Sequence, residues 1–174
     1  MHDIVSAIEP LIPALRRYAR ALLRDRSIAD DLVHDCLERA IARWDQRRNG
    51  EVRAWLFAIL HNLAMNRLRQ TARRGPHLGL DAVDDGALVQ RPVHDDPLRH
   101  RDLLRALAEL PDDQRSVLLL VTVEDLSYAE AARVLDVPIG TVMSRLSRAR
   151  DRLQRLMDGE LPASPRPIVL RSTP

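Results

Sequence analysis

Apolar residues recur along this chain at intervals of three and four, the pattern of helices that bury one face. Ile4, Ile8, Leu11 and Leu15 open one stripe, which Tyr18 and Leu22 continue. The stretch DRSIADDLVHDCLERAIARW predicts a second helix. Ile28, Leu32, Cys36 (or Val33, Leu37) and Ile41 turn inward in it, and Asp30, Asp31, Asp35 and Glu38 turn outward. A third, longer helix is predicted over EVRAWLFAILHNLAMNRLRQTARR, with Phe57, Leu60, Ala64 and Leu68 on its buried side. Trp55, Asn62, Asn66, Arg69 and Arg73 share a different side of that helix. Such a face is either ordinary surface with a tryptophan capping the core, or a platform for unpaired bases. In the second case the aromatic stacks, the amides read base edges and the arginines meet phosphate.

Periodicity then stops. Residues 75–97, GPHLGLDAVDDGALVQRPVHDDP, carry Gly75, Pro76, Gly79, Gly86, Pro92 and Pro97 among five acids and one arginine. They predict a flexible acidic linker between two helical lobes. Beyond it, helical spacing resumes and divides at Leu110-Pro111, where one helix must stop and Pro111 can start the next in its first turn.

The last helical stretch, LSYAEAARVLDVPIGTVMSRLSRARDRL, is the most informative. Ser127 with Glu130 three residues later predicts a capping box that starts a short helix. Ala131, Ala132 and Leu135 are its inner positions, and Asp136 suits the left-handed conformation that ends it. Val137 to Gly140 make the expected turn, with a second helix from near Thr141. Val142, Leu146, Ala149 and Leu153 form the core stripe of that helix. Thr141, Arg145, Arg148, Arg152 and Arg155 repeat on another face. Two short helices joined by a tight turn, with a basic face on the second, make a helix-turn-helix whose second helix enters the major groove.

Composition sharpens this picture in three respects. The chain is 45% apolar but only 3% aromatic, so its core must be aliphatic. All 27 basic residues are arginine, whose planar fork suits phosphate and guanine edges. The net charge of +2 is small, yet residues 141–157 hold five arginines against one acid. No apolar run approaches the roughly 20 residues of a bilayer span, and MHDIVSAIEP lacks the look of a secretory signal, so a cytoplasmic chain without membrane insertion is expected. Cys36 stands alone, excluding an internal disulfide or a CxxC metal site, and is expected to be a small core residue. The six histidines lack ligand spacing. With no HExxH, Gly-rich phosphate loop or paired carboxylate site, neither enzyme chemistry, metal nor cofactor is expected.

These residues together resemble the sigma-70 family of bacterial transcription initiation factors, and within it the small two-domain extracytoplasmic-function (ECF) group. ADDLVHDCLERAI followed by VRAWLFAILHNLAMNRLR resembles the family's region 2. LPDDQRSVLLLVTVEDLSYAEAARVLDVPIGTVMSRLSRAR resembles its region 4. The resemblance implies an all-α chain of two small helical domains, region 2 over 8–74 and region 4 over 98–157. A disordered tail over 158–174 is expected after them. It further implies that Asp30, Asp31, Leu32, Asp35 and Glu38 dock on the clamp of core RNA polymerase. Trp55, Asn62, Asn66, Arg69 and Arg73 would take the melted −10 element of promoter DNA. Thr141, Ser144, Arg145 and Arg148 would take the −35 duplex. An anti-sigma factor is the further partner that the family implies. Met143 departs from the Arg or Lys frequent at its position, and Asp136 from the usual Gly. A stand-alone helix-turn-helix regulator is the alternative, but it leaves the Trp55–Arg73 and Asp30–Glu38 faces without purpose.

Overall fold

The protein is described by a computed structural model over residues 2–46, 52–74 and 97–160, and these form eight α-helices and no strand. Helix α1 (His2–Ile8) and α2 (Ile12–Leu23) are parted by a 3-10 turn at Glu9–Leu11. Pro10 and Pro13 cause the break: each lies in a first turn, where its missing N–H costs nothing. α2 ends on Arg24 in the left-handed conformation (φ 59°), and α3 (Arg26–Ala42) begins at once because the Asp25 carboxylate accepts from the Ile28 amide at 2.9 Å. α4 (Val52–Arg74) completes the first half.

The buried positions of α3 are Ala29, Val33, Cys36 and Ala40. Ile28, Leu32 and Leu37 are half-buried, and Ile41, expected in the core, is instead 56% exposed. The stripe follows small residues because they let α2 and α4 approach closely. Ile41 lies one residue beyond Ala40, about 100° around the helix, and so points away. Cys36 is fully buried, its thiol pushed up to about 12 by that burial and donating to the Leu56 carbonyl at 3.5 Å. On α4, Phe57, Leu60 and Ala64 are buried as expected, and Leu68 partly so.

In the second half α5 (Pro97–Ala108) and α6 (Asp112–Leu118) meet at Pro111, which stands extended just before α6. A π turn, Leu119–Val123, follows, and the Glu124 amide reaches back to Leu119. α7 (Tyr128–Leu135) opens with the complete Ser127–Glu130 capping box and closes on Asp136 at φ 52°, ψ 50°. The turn is shorter than expected. The Thr141 and Val142 amides already bond the Pro138 carbonyl, at 2.9 and 3.2 Å, so α8 (Ile139–Met157) takes in Ile139 and Gly140. Val142, Leu146 and Ala149 are buried against α6 and α7, with Leu153 half-buried. Of the expected linker and tail, 75–96 and 161–174 lie outside the described residues, while Pro97 begins α5.

The two halves pack on one another. α4 lies against α7, and α2 against α6 and the π turn, so one apolar cluster runs from Leu15 and Phe57 to Val134 and Leu146. Polar side chains cross the same junction. Arg17 donates twice to the Glu124 carboxylate, at 2.8 and 2.6 Å, and the Glu124 side chain is wholly buried. Arg53 donates to the Glu124 carbonyl. Beside this junction, within the first half, the Tyr18 hydroxyl and His61 Nδ1 lie 2.9 Å apart, with Ser116 of α6 also at that hydroxyl. Burial holds the His61 ring down to about 4, so it is neutral near pH 7.

Candidate nucleic-acid interface

Two exposed helix faces carry the chemistry expected of the site. On α4, Asn62, Asn66, Arg69 and Arg73 are all exposed and fall on one side, opposite the buried Phe57 and Ala64. The Arg69 guanidinium donates to Asn66 Oδ1 at 3.4 Å, a long hydrogen bond that leaves both groups available to a base or phosphate. Trp55 differs from its neighbours on this face. It is half-buried and meets Trp44 edge-on, with centroids 6.3 Å apart and planes at 67°. Trp44 is itself buried, so the pair fixes the indole of Trp55 at the head of the row and leaves part of it exposed.

On α8 the exposed arc runs through Gly140, Met143, Ser144, Ser147 and Arg148. Arg148 bends back onto Ser144, with Nε 3.1 Å from the Ser144 carbonyl and Nη2 3.2 Å from its hydroxyl. Thr141 is half-buried beside this arc. Arg145, expected on the same open face, is turned inward. Its side chain is only 28% exposed and pairs with Asp113 of α6 at 3.3 Å, within electrostatic reach of His61 on α4. Among the α8 arginines singled out for duplex contact, Arg148 is therefore the freely presented one.

The acidic face of α3 divides similarly. Asp31, Asp35 and Glu38 are exposed, and Glu38 pairs with His34 one turn back at 3.2 Å. Asp30 instead accepts both forks of Arg20, at 3.0 and 2.8 Å, which holds its carboxyl below the ordinary range. That aspartate ties α3 to α2. Leu32 is half-buried between the two roles.

Sequence reasoning passed over Arg17, Arg53, Arg115 and Glu124. Glu124 carried a signal: it opens an acidic pair, with Asp125, at the end of the apolar run LLLVTVEDL. Arg115 lies just before that run, in PDDQRSVLLL. A charge beside so much apolar sequence has to be paired if the segment is buried. The arginines of α2 and α4 carried no comparable mark among 27 of their kind.

Two family models match the two halves in order. Residues 8–61 match the Sigma2 domain of PhyR, and residues 100–153 match Sigma-70, region 4. This defines the chain as a two-region sigma-type transcription factor. Among curated proteins, the ECF RNA polymerase sigma factor EcfG of Rhodopseudomonas palustris is 36% identical over 89% of this chain and 83% of its own. The ECF RNA polymerase sigma-E factor of Escherichia coli is 32% identical over 70% of this chain and 69% of its own. Among solved structures, the sigma factor RpoE from Bartonella quintana, determined in complex with the anti-sigma factor NepR, superposes with a TM-score of 0.78 at 33% identity. That match covers 92% of this chain and 100% of the other. The chain belongs to the ECF RNA polymerase sigma factors. It is a transcription initiation factor that gives core RNA polymerase its promoter specificity.

Proposed function

We propose a division of labour among three faces. Residues 8–74 work as region 2, in which Asp31, Asp35 and Glu38 of α3 dock on core polymerase. Asn62, Asn66, Arg69, Arg73 and the exposed edge of Trp55 take the unpaired −10 bases. Residues 98–157 work as region 4, with Ser144 and Arg148, flanked by Thr141, set against the −35 duplex. Arg145 positions α8 on α6 through Asp113 and reaches phosphate only from the edge of that face. Asp30 and Leu32 hold the docking helix in place. The observation that carries this reading is the row Asn62, Asn66, Arg69, Arg73. Four polar side chains are exposed along one side of a helix that is apolar on the other, with Trp55 at the row's head. Such a row fits unpaired bases, because each base offers a π-face and a hydrogen-bonding edge.

In this reading the chain contributes specificity and no catalytic chemistry of its own, and it acts in the cytoplasm. No helix among the described residues is long and apolar enough to cross a membrane. An anti-sigma factor of the NepR kind is the regulatory partner proposed, because the RpoE solved with NepR is similar along nearly the whole chain.

Two experiments test the assignments. Arg148→Ala is expected to weaken holoenzyme binding to the −35 duplex and to reduce the salt slope of binding by about 0.9 for each phosphate that is no longer neutralised. Asn66→Ala should spare that step and impair opening, read by permanganate reactivity of exposed thymines. Equal weakening of duplex binding in both variants would refute the division. For docking, reversing Asp31 and Asp35 to arginine should weaken holoenzyme formation in a pull-down while the helical circular dichroism is unchanged. Undiminished capture of core polymerase would show that α3 docks by other groups.

A further inference from the structure

The first two turns of α8 carry a feature that electrostatics does not explain. Met143 is 53% exposed and Ile139, one turn before it, is 48% exposed, on a helix whose remaining exposed residues are polar, charged or glycine. Neither belongs to the buried stripe of this helix, which Val142, Leu146 and Ala149 fill. Gly140 lies between them. A Cβ built there meets nothing within 4 Å, and the backbone is not in the left-handed region. Gly140 is the second residue of α8, in its first turn, and no backbone angle or neighbouring atom there calls for glycine. An exposed glycine there leaves the backbone open to close approach from outside the chain.

We propose that Met143 is a specificity-determining residue that reads the 5-methyl group of a thymine in the −35 element, and that Gly140 supplies the clearance for that approach. The inference rests on the reading of α8 as the helix that meets the −35 duplex. The major-groove edge of a base pair offers hydrogen-bonding groups and a single apolar group, the thymine methyl. Residues at the start of a recognition helix are those that reach base edges. Met143 lies on the same arc as Ser144 and Arg148, with Gly140 one turn back. An unbranched thioether is flexible enough to settle on a methyl without dictating the backbone position. An arginine or lysine there would favour guanine or phosphate instead, so Met143 shifts the preference of this chain toward an A·T pair.

The test uses holoenzyme reconstituted from the full chain and core polymerase. Promoters selected from a random library define the preferred −35 sequence, and each thymine within it is then replaced by deoxyuridine, which removes only the methyl. One thymine should lose about fourfold in affinity, the worth of one buried methyl group. In Met143→Ala holoenzyme the same replacement should cost nothing further. Gly140→Ala should leave the melting temperature unchanged or raised while weakening duplex binding severalfold. A library that yields no −35 preference would overturn the parent reading and this inference together. A clear preference with no uracil-sensitive thymine, or with sensitivity that persists in Met143→Ala, would overturn this inference alone. Unchanged duplex binding by Gly140→Ala would remove the clearance role.

Discussion

Arg115→Leu is expected to destabilise the folded chain by about 3 kcal/mol or more, although Arg115 touches neither proposed DNA face. Only 4% of its side chain is exposed. Its guanidinium donates to four main-chain carbonyls: Leu107 at 2.9 Å, Ala108 at 3.2 Å, Leu110 at 2.7 Å and Leu22 at 2.9 Å. Leu22 lies in the last turn of α2, and the other three surround the end of α5. A helix end leaves its last carbonyls without partners within the helix, and here one planar fork serves two helix ends at once. Asp112, 3.4 Å away, balances the charge from the surface. Leucine fills part of the volume and leaves the acceptors dry, each at about 1–3 kcal/mol. The costs do not all add, since Leu107 also accepts from the Leu110 amide at 3.3 Å. Arg115→Lys should recover a minor share, because an ammonium is a point charge with three donors in another geometry. Urea unfolding, with exposed Arg152→Ala as reference, measures this. A shift no larger than that of the reference, expected within about 0.5 kcal/mol, would contradict the role.

This residue also marks where sequence legibility ends. Helices, caps and the helix-turn-helix follow from local rules, so Ser127–Glu130, Asp136 and the stripe Val142, Leu146, Ala149 could be read from spacing alone. The α4 row was legible for the same reason, since one helix fixes the relative positions of Asn62, Asn66, Arg69 and Arg73. Tertiary choices were not legible. Ile41 fits an apolar period, but the short side chains of Ala29, Cys36 and Ala40 set which stripe packs closest. Asp30 and Arg145 looked like surface charges until Arg20 and Asp113, on other helices, claimed them. Docking of one half on the other depends on pairs as distant in sequence as Arg17 and Glu124. No periodicity links such residues.

Arg17→Ala is expected to part the two halves before it unfolds either of them. The Glu124 carboxylate is fully buried, and the Arg17 fork is its charge partner, with 21% of that side chain exposed. The hydrogen bonds that Arg17 donates to the Glu124 carboxylate raise the Arg17 pKa, so the guanidinium stays charged. Removing one partner of a buried ion pair costs about 3–5 kcal/mol, because the remaining charge is left without compensation. Here Glu124 has a cheaper escape than global unfolding. It lies at the junction of α2 with the π turn, and separation of the halves returns it to water. The effect is asymmetric: Glu124→Ala strands only an arginine that can swing outward, and it should loosen the junction less. The double variant should be milder than Arg17→Ala alone, since no buried charge is left unpaired. Small-angle scattering is expected to show a larger radius of gyration for Arg17→Ala at nearly unchanged helical circular dichroism. A compact Arg17→Ala, or a double variant as expanded as the single one, would sink the account. On the proposed assignment of α4 to the −10 element and α8 to the −35 element, parting of this kind is also what the activity demands. Their labels set the −10 and −35 elements about 25 base pairs apart, about 85 Å along the duplex at 3.4 Å per step. α4, with 23 residues, spans only about 35 Å, and α8 is held close enough for Arg145 to act on His61. Helices packed so tightly cannot serve both elements at once. A junction sealed by a charged pair can reopen to water at lower cost than a purely apolar one, because the buried carboxylate regains solvent as the halves separate.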